Sequence, residues 1–211
     1  MYSSIIKFLA KNSKQIIGGV IGAGALAVSA KYGPKVYKNM KEKNDKDKAE
    51  EIKKLTDKIN NEFLGYFIIM DSNIWMTDFY EQEIDFIHEF CKLNNKKITI
   101  PSFQLKEFEN PKNKSERFRM TEAKRRIEKF SNDSLINISK EEKKYSYVDD
   151  CLLDIIKIKS KSFKKVSILT EDRELRIKAK SLDEFKDKKV LVCSFSDIQD
   201  TIFQWYQKTH W

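Results

Sequence analysis

The sequence predicts an α/β fold, a parallel β-sheet flanked by helices and preceded by an N-terminal apolar helix and a charged linker helix. Short apolar runs alternate with segments whose apolar residues recur at helical spacing, a pattern typical of parallel βαβ units. Acidic residues follow several of these runs, where a parallel sheet places its functional groups. A length of 211 residues with 40% apolar residues suits one ordinary domain plus an extension.

Each element follows from local periodicity. In the first helix Ile84, Ile87 and Cys91 repeat at helical spacing, and Ile198 and Ile202 do so in the last, where they predict a core-facing stripe. The predicted strands lie near residues 66–71, 97–101, 166–170 and 189–194. The predicted helices cover residues 74–94, 102–109, 114–131, 148–161, 171–180 and 196–208.

Residues 1–33 are predicted to form an N-terminal segment separate from the main domain. Residues 16–30 are 15 uncharged, mostly apolar residues, fewer than the roughly 20 of a full membrane span. A short membrane helix, a helix that docks onto a partner or inhibitor protein and a cleaved signal peptide all stay open. The lysines that follow the run favour a cytoplasmic location for the larger C-terminal part, anchored at a membrane by this helix.

Residues 34–62 form a charged linker helix, with Ile52, Leu55 and Ile59 as a thin apolar stripe, and residues 63–211 form the main domain. The net charge of +9 comes mostly from the first 62 residues, so it argues little for nucleic acid. The three isolated cysteines fit neither disulfides nor a zinc site and predict small core residues in a reducing compartment. No glycine-rich phosphate loop is present, which argues against a nucleotide-driven motor.

Four acids follow apolar runs or open the next helix: Asp71, Glu107, Asp150 and Asp172. A parallel sheet would gather them at the carboxyl ends of its strands. Crowded carboxylates repel one another unless a cation lies between them, and a divalent metal is the simplest such cation. We therefore expect one or two Mg²⁺ or Mn²⁺ ions there. Asp149 competes with Asp150 for the third place, and Asp154, one helical turn further, could support it.

The residues around these acids resemble the PIN-domain nucleases over about residues 64–200. Asp71-Ser72-Asn73 is similar to the family's first motif, and Ile100-Pro101 followed by Glu107 is similar to the second. The third is matched by Asp149-Asp150 before aliphatic residues, and the fourth by Leu169-Thr170-Glu171-Asp172-Arg173-Glu174-Leu175. A single acid of this kind is more often a helix N-cap, but four in order are a strong signal.

The resemblance implies a metal-dependent endoribonuclease that hydrolyses RNA and leaves a 5′-phosphate and a 3′-hydroxyl. It makes Asp71, Glu107, Asp150 and Asp172 both catalytic and metal-holding residues. Ser72 and Thr170 offer hydroxyls that could orient a carboxylate or a water, and Asn73 is placed to position Asp71; N-capping is the competing interpretation. A toxin or a defence effector is a further analogy from the family.

Arginine placement suggests where nucleic acid would lie. All six arginines fall between Glu107 and the end of the helix that Asp172 opens, and arginine grips phosphate in a bidentate manner. The competing interpretation is a solvated helix face, and Arg173 could instead pair with a neighbouring carboxylate. The candidates for nucleic-acid binding are Arg117, Arg119, Arg125, Arg126 and Arg173.

Two alternatives remain at this stage. One is a structure-selective or single-strand DNA nuclease, because nothing in the chain separates RNA from single-stranded DNA. The other is a catalytically silent module that binds RNA or a partner at a membrane, which the presence of all four acids disfavours. Whether the chain forms a homodimer also stays open.

Overall fold

The computed structural model describes residues 42, 44–109, 111–140 and 145–211. The predicted apolar segment 1–33 and the start of the predicted linker lie outside the described residues. The chain divides into two units, Met1–Glu51 and Ile52–Trp211. Residues 44–51 are helical, and the second unit opens with helical residues 52–58, labelled α1. In the part of the chain that the structure describes, no helix is long and apolar enough to cross a membrane.

The second unit is built on a five-stranded parallel sheet with strand order β3-β2-β1-β4-β5, which confirms the predicted fold class. Four strands were predicted, and β3 was not. It lies at the edge of the sheet and alternates isoleucine with exposed or half-buried polar residues, so it has no continuous apolar run. The strands are β1 (Phe67–Met70), β2 (Ile98–Pro101), β3 (Ile136–Ser139), β4 (Val166–Leu169) and β5 (Val190–Cys193).

Helices connect the strands. The predicted helix at 74–94 is two helices, and the predicted helix at 102–109 is an α-helical turn followed by a 3₁₀ turn at Lys106–Phe108. A π-helical turn at Ile59–Phe63 precedes β1, and α8 was not predicted. The helices are α2 (Ser72–Trp75), α3 (Glu81–Leu93), α4 (Ser102–Leu105), α5 (Lys114–Asn132), α6 (Val148–Ser160), α7 (Arg173–Lys180), α8 (Asp183–Lys186) and α9 (Phe195–His210).

The sheet buries both faces, as parallel sheets do. On β1, Ile68 and Met70 join the core formed with α3, α5 and α9, whereas Phe67 and Ile69 join the core formed with α6 and α7. The predicted stripe packs on the first core: Ile52 and Leu55 of α1 are partly buried there, and Ile59 in the π-helical turn that follows is fully buried. All three cysteines are buried and free, which confirms that they are core residues.

Candidate active site

The site forms where two neighbouring strands end. Asp71 follows β1 and Thr170 follows β4, and because these strands pair in parallel the two side chains meet. Thr170 Oγ1 donates a hydrogen bond of 2.7 Å to Asp71 Oδ2. Gln104 holds the end of β1. Its side chain is fully buried, and Nε2 donates a hydrogen bond of 2.9 Å to the Met70 carbonyl. Sequence reasoning missed Gln104, although it lies in the second motif between Pro101 and Glu107.

The Asp71 carboxylate is fixed by its immediate neighbours. The backbone N–H of Ser72 donates to Oδ1 at 2.7 Å, and Asn73 Nδ2 donates to Oδ2 at 2.8 Å. Asn73 also donates to Thr170 Oγ1 at 3.2 Å and accepts from the Glu171 N–H at 3.1 Å. Asn73 and the Thr170 hydroxyl thus hold the Asp71 carboxylate, and the Ser72 hydroxyl lies 3.4 Å from it. Asp71 also caps α2, as the N-cap interpretation predicted.

Two further carboxylates, those of Glu107 and Asp149, influence the pKa of Asp71. Burial raises the pKa of Asp71 to about 6, against the hydrogen bonds from Thr170 and Ser72, and the charges of Glu107 and Asp149 raise it further. Burial also raises the pKa of Glu107, a hydrogen bond from the Ser72 side chain lowers it, and Asp149 raises it again. Asp71, Glu107 and Asp149 thus form one electrostatically coupled group, termed the acidic triad below.

The two candidates for the third acid differ in their surroundings. The spacing favoured Asp150, whereas it is the charge of Asp149 that acts on Asp71 and Glu107. Asp149 is half-buried in the first turn of α6, whereas Asp150 is exposed at the rim of the same cavity. Successive helical residues point about 100° apart, so one step along the chain decides which carboxylate faces the triad. Asp154 lies half-buried on the same helix.

Asp172 is connected to the triad through a hydroxyl rather than by direct contact. Its Oδ1 accepts from the Leu175 N–H at 2.9 Å and caps α7, as the competing N-cap interpretation held. Its own N–H donates at 3.0 Å to Thr170 Oγ1, the atom that binds Asp71. The side chain is exposed.

A cavity of about 410 Å³ opens onto the triad between α6 and α7. Its lining includes Glu107, Asp149, Glu174 and Lys178. The Lys178 ammonium lies 3.4 Å from Asp149 and 3.1 Å from Glu174. Sequence reasoning expected Arg173 as the nearby cation, but Lys178 is the cation that meets the triad. Its spacing of four residues from Glu174 was the available signal.

The family assignment agrees with this geometry. Residues 68–183, more than half of the chain, match the family described as the PIN domain. The chain belongs to the PIN-domain family. No curated protein matches it. PIN domains are generally metal-dependent nucleases, so the family places this chain among the phosphodiester hydrolases.

The PIN-domain triad has the chemistry of a site for a hard cation. Carboxylate oxygens are the ligands that Mg²⁺ and Mn²⁺ prefer. Glu107 Oε2 is buried without a hydrogen-bond partner in the described residues, and an ion would satisfy it. Within those same residues, no three His, Cys, Asp or Glu side chains already converge as a complete set of metal ligands. The donor set therefore fits an ion in the chemistry of its oxygen atoms.

The five candidate arginines of the PIN domain separate into different roles. Arg126 was predicted to bind nucleic acid, but its side chain is buried. Its Nη1 donates to the carbonyls of Trp75 at 2.6 Å and Thr77 at 2.7 Å. These carbonyls lie at the break between α2 and α3, where helical N–H partners are missing, so Arg126 stabilises the fold and does not face nucleic acid. Arg125 is exposed and pairs with Glu122 and Glu81.

Three further candidate arginines are accessible. Arg117 and Arg119 are exposed on the first half of α5, and Arg119 Nε lies 3.9 Å from Asp78. Arg173 is exposed in the first turn of α7, directly after Asp172. Together with Arg125, these are the candidate arginines whose side chains are exposed to solvent.

Proposed function

We propose that the chain is a metal-dependent endoribonuclease. The observation that carries the proposal is the acidic triad at the carboxyl end of the sheet, where the buried Asp71 carboxylate is hydrogen-bonded to Thr170 and the charges of Glu107 and Asp149 act on it. A fold that gathers buried like charges loses stability, and such clusters are found where function requires them. The family supports nuclease chemistry in general; RNA as the substrate and internal cleavage are our inference.

The proposed division of labour follows the contacts. Asp71, Glu107 and Asp149 would hold one or two Mg²⁺ or Mn²⁺ ions, and Asp172 would complete the site from its rim. A bound divalent ion supplies a Lewis acid that polarises a phosphate oxygen. Ser72, Asn73 and Thr170 hold the Asp71 carboxylate in one orientation, which spares the site the cost of ordering it during the reaction.

The surroundings of the triad suit a flexible strand. The cavity between α6 and α7 is open to solvent, and Tyr147 at its rim exposes 72% of its surface, enough to stack on a base. Arg173 in the first turn of α7, with Arg117 and Arg119 on α5, would contact phosphates. RNA is favoured over DNA because most members of the family cut RNA.

The decisive experiment uses labelled linear RNA, circular RNA and single-stranded DNA with Mn²⁺ or with EDTA. We expect Mn²⁺-dependent cleavage of linear and circular RNA, since only an endonuclease opens a circle. Asp71→Asn should abolish cleavage, and Asp200→Asn, which alters an exposed carboxylate on α9, should leave it intact. Cleavage of DNA alone would identify a DNA nuclease, and binding without any cleavage would identify a silent module.

We further propose that residues 1–33 locate the nuclease rather than take part in cleavage. They would anchor the catalytic domain on the cytoplasmic side of a membrane or bind an inhibitor protein. Such an arrangement suits a toxin or a defence effector. The sequence supports this proposal, because some 25 mostly charged or polar residues separate the apolar run from the domain.

A further inference from the structure

A second cavity, of about 590 Å³, lies at the opposite end of the strands from the triad. It is termed the basal cavity here. Its lining includes Tyr66 and Phe67 at the start of β1 and Thr99 on β2. Asp71 follows the last residue of β1, and a strand rises roughly 3.3 Å per residue, so more than 10 Å of sheet separates the two sites. Its volume falls in the usual range for a small-molecule site.

The charged side chains that line the basal cavity, among the described residues, are all basic. Three lysines, Lys96, Lys97 and Lys159, line it, and among the described residues no Asp or Glu does. Lys96 Nζ is held at the entrance by the carbonyls of Leu64 at 3.1 Å and Gly65 at 2.7 Å. Burial lowers the pKa of Lys96, a penalty on its charged form that an anion would offset. The cavity therefore favours an anionic ligand.

Aromatic rings lie beside these cations. Tyr66 exposes 56% of its surface, and Lys96 Nζ is 5.3 Å from its ring centroid. The rings of Phe67 and Phe163 pack with centroids 5.1 Å apart, and Lys159 Nζ is 5.5 Å from the Phe67 ring. An exposed ring next to ammonium groups is the combination that binds a base by stacking and its phosphate by charge.

Amide side chains add polar recognition. Asn60, Asn95 and Asn137 line the cavity, and Asn60 Oδ1 is buried without a hydrogen-bond partner in the described structure. Asn60 lies in the π-helical turn Ile59–Phe63, and Asn95 adopts a φ of 50°. π-Helical turns are uncommon and are found frequently at functional sites, whereas the φ of Asn95 is that of a residue ending helix α3. A ligand N–H would satisfy the Asn60 oxygen.

We propose that the basal cavity binds a nucleotide. The base stacks on Tyr66 and donates to Asn60, and the phosphate lies between Lys97 and Lys159. The ligand is either a free nucleotide, which would make the cavity a sensor site, or one residue of an RNA strand, which would make it an anchor far from the cleaved bond. This site is distinct from the nuclease chemistry and does not depend on it.

Binding in EDTA tests the proposal on the full chain. Without metal the acidic triad repels anions, so the four nucleoside monophosphates should bind at the basal cavity. A labelled RNA decamer should also contact the exposed arginines, so only the part of its affinity that depends on Tyr66 and Lys159 is assigned to the cavity. Calorimetry measures the binding of the monophosphates, and fluorescence anisotropy measures the binding of the decamer. Tyr66→Ala should weaken binding about tenfold, and Tyr66→Phe, which keeps the ring, should not. Lys159→Glu should weaken it at least tenfold, whereas Lys157→Glu, an exposed lysine on the same helix, should change it less than twofold.

The outcomes separate the two sources of the ligand. Monophosphate binding with this pattern of variants supports a free nucleotide, and binding of the decamer alone with the same pattern supports an RNA strand. The proposal is overturned if neither probe binds. It is also overturned if Lys157→Glu weakens binding as much as Lys159→Glu, or if Tyr66→Phe loses as much affinity as Tyr66→Ala. Thermal unfolding of each variant establishes that it is folded. Because no cleavage is measured, failure here leaves the proposed nuclease function untouched.

Discussion

Replacing Asp71 by asparagine should stabilise the metal-free protein at alkaline pH. The pKa of Asp71 is raised from 3.8 to about 6, first by burial and then by the charges of Glu107 and Asp149. Since the folded value lies above the unfolded one, the folded state holds a proton that the unfolded state has released between pH 4 and 6. Stability is therefore greatest below this window, falls as the pH rises through it, and is lowest above it.

The magnitude follows from the same values. A pKa that moves from 3.8 to about 6 corresponds to about 3 kcal/mol of destabilisation when the carboxylate is charged. Asparagine removes this penalty but has a single oxygen, whereas the carboxylate accepts from Ser72, Asn73 and Thr170; one lost bond costs about 1 kcal/mol. At pH 8 the variant should be about 2 kcal/mol more stable than the wild type. For a domain of this size, its Tm should be about 4–8 °C higher.

The assay is thermal unfolding in EDTA at pH 4.5 and pH 8, with Asp200→Asn as an exposed carboxylate control that should shift neither curve. At pH 4.5 the advantage of Asp71→Asn should largely vanish. Adding Mn²⁺ at pH 8 should raise the Tm of the wild-type protein, because the ion binds the folded state, and should raise that of the variant much less. A variant that is less stable than the wild type at pH 8, with no effect of Mn²⁺ on either protein, would show that Asp71 is only a helix cap.

Four other outcomes are expected. Arg126→Met should cost about 2–4 kcal/mol in denaturant unfolding, because two carbonyls lose their buried donor. Arg117→Ala with Arg119→Ala should leave the Tm unchanged and lower the salt slope of RNA binding by about 1–2; equal slopes would mean that α5 does not contact phosphate. Lys178→Ala should raise Mn²⁺ affinity about two- to fivefold in a titration, since an exposed ion pair with the triad is removed, and weaker binding would assign Lys178 a supporting role. A chain beginning at Lys46 should be folded and as active per molecule as the full chain but should no longer partition with membranes or a partner; loss of activity would place the N-terminal segment in the catalytic fold.

The parts of the fold that could be predicted were those with strong local periodicity. Strands β1, β2, β4 and β5 carry apolar or largely apolar runs, and α5 and α6 end within a residue of their predicted bounds. Strand β3 could not be predicted, because an edge strand need not be apolar throughout. The break between α2 and α3 was also hidden, since it depends on Arg126, about fifty residues further along the chain, satisfying the carbonyls there.

What the sequence determined by itself was the family, the parallel sheet and the acids at its carboxyl ends, because strand periodicity and motif order are local properties of the chain. It also indicated that Asn73, Ser72 and Thr170 serve Asp71, since all three lie in the motifs that end β1 and β4. Only the tertiary structure showed that the charge of Asp149 acts on Asp71, that Lys178 is a cation beside Asp149 and that Arg126 is buried. These outcomes depend on the angle at which α5, α6 and α7 pack against the sheet. A rotation of 100° per residue turns a small difference in packing into a different side chain facing the site.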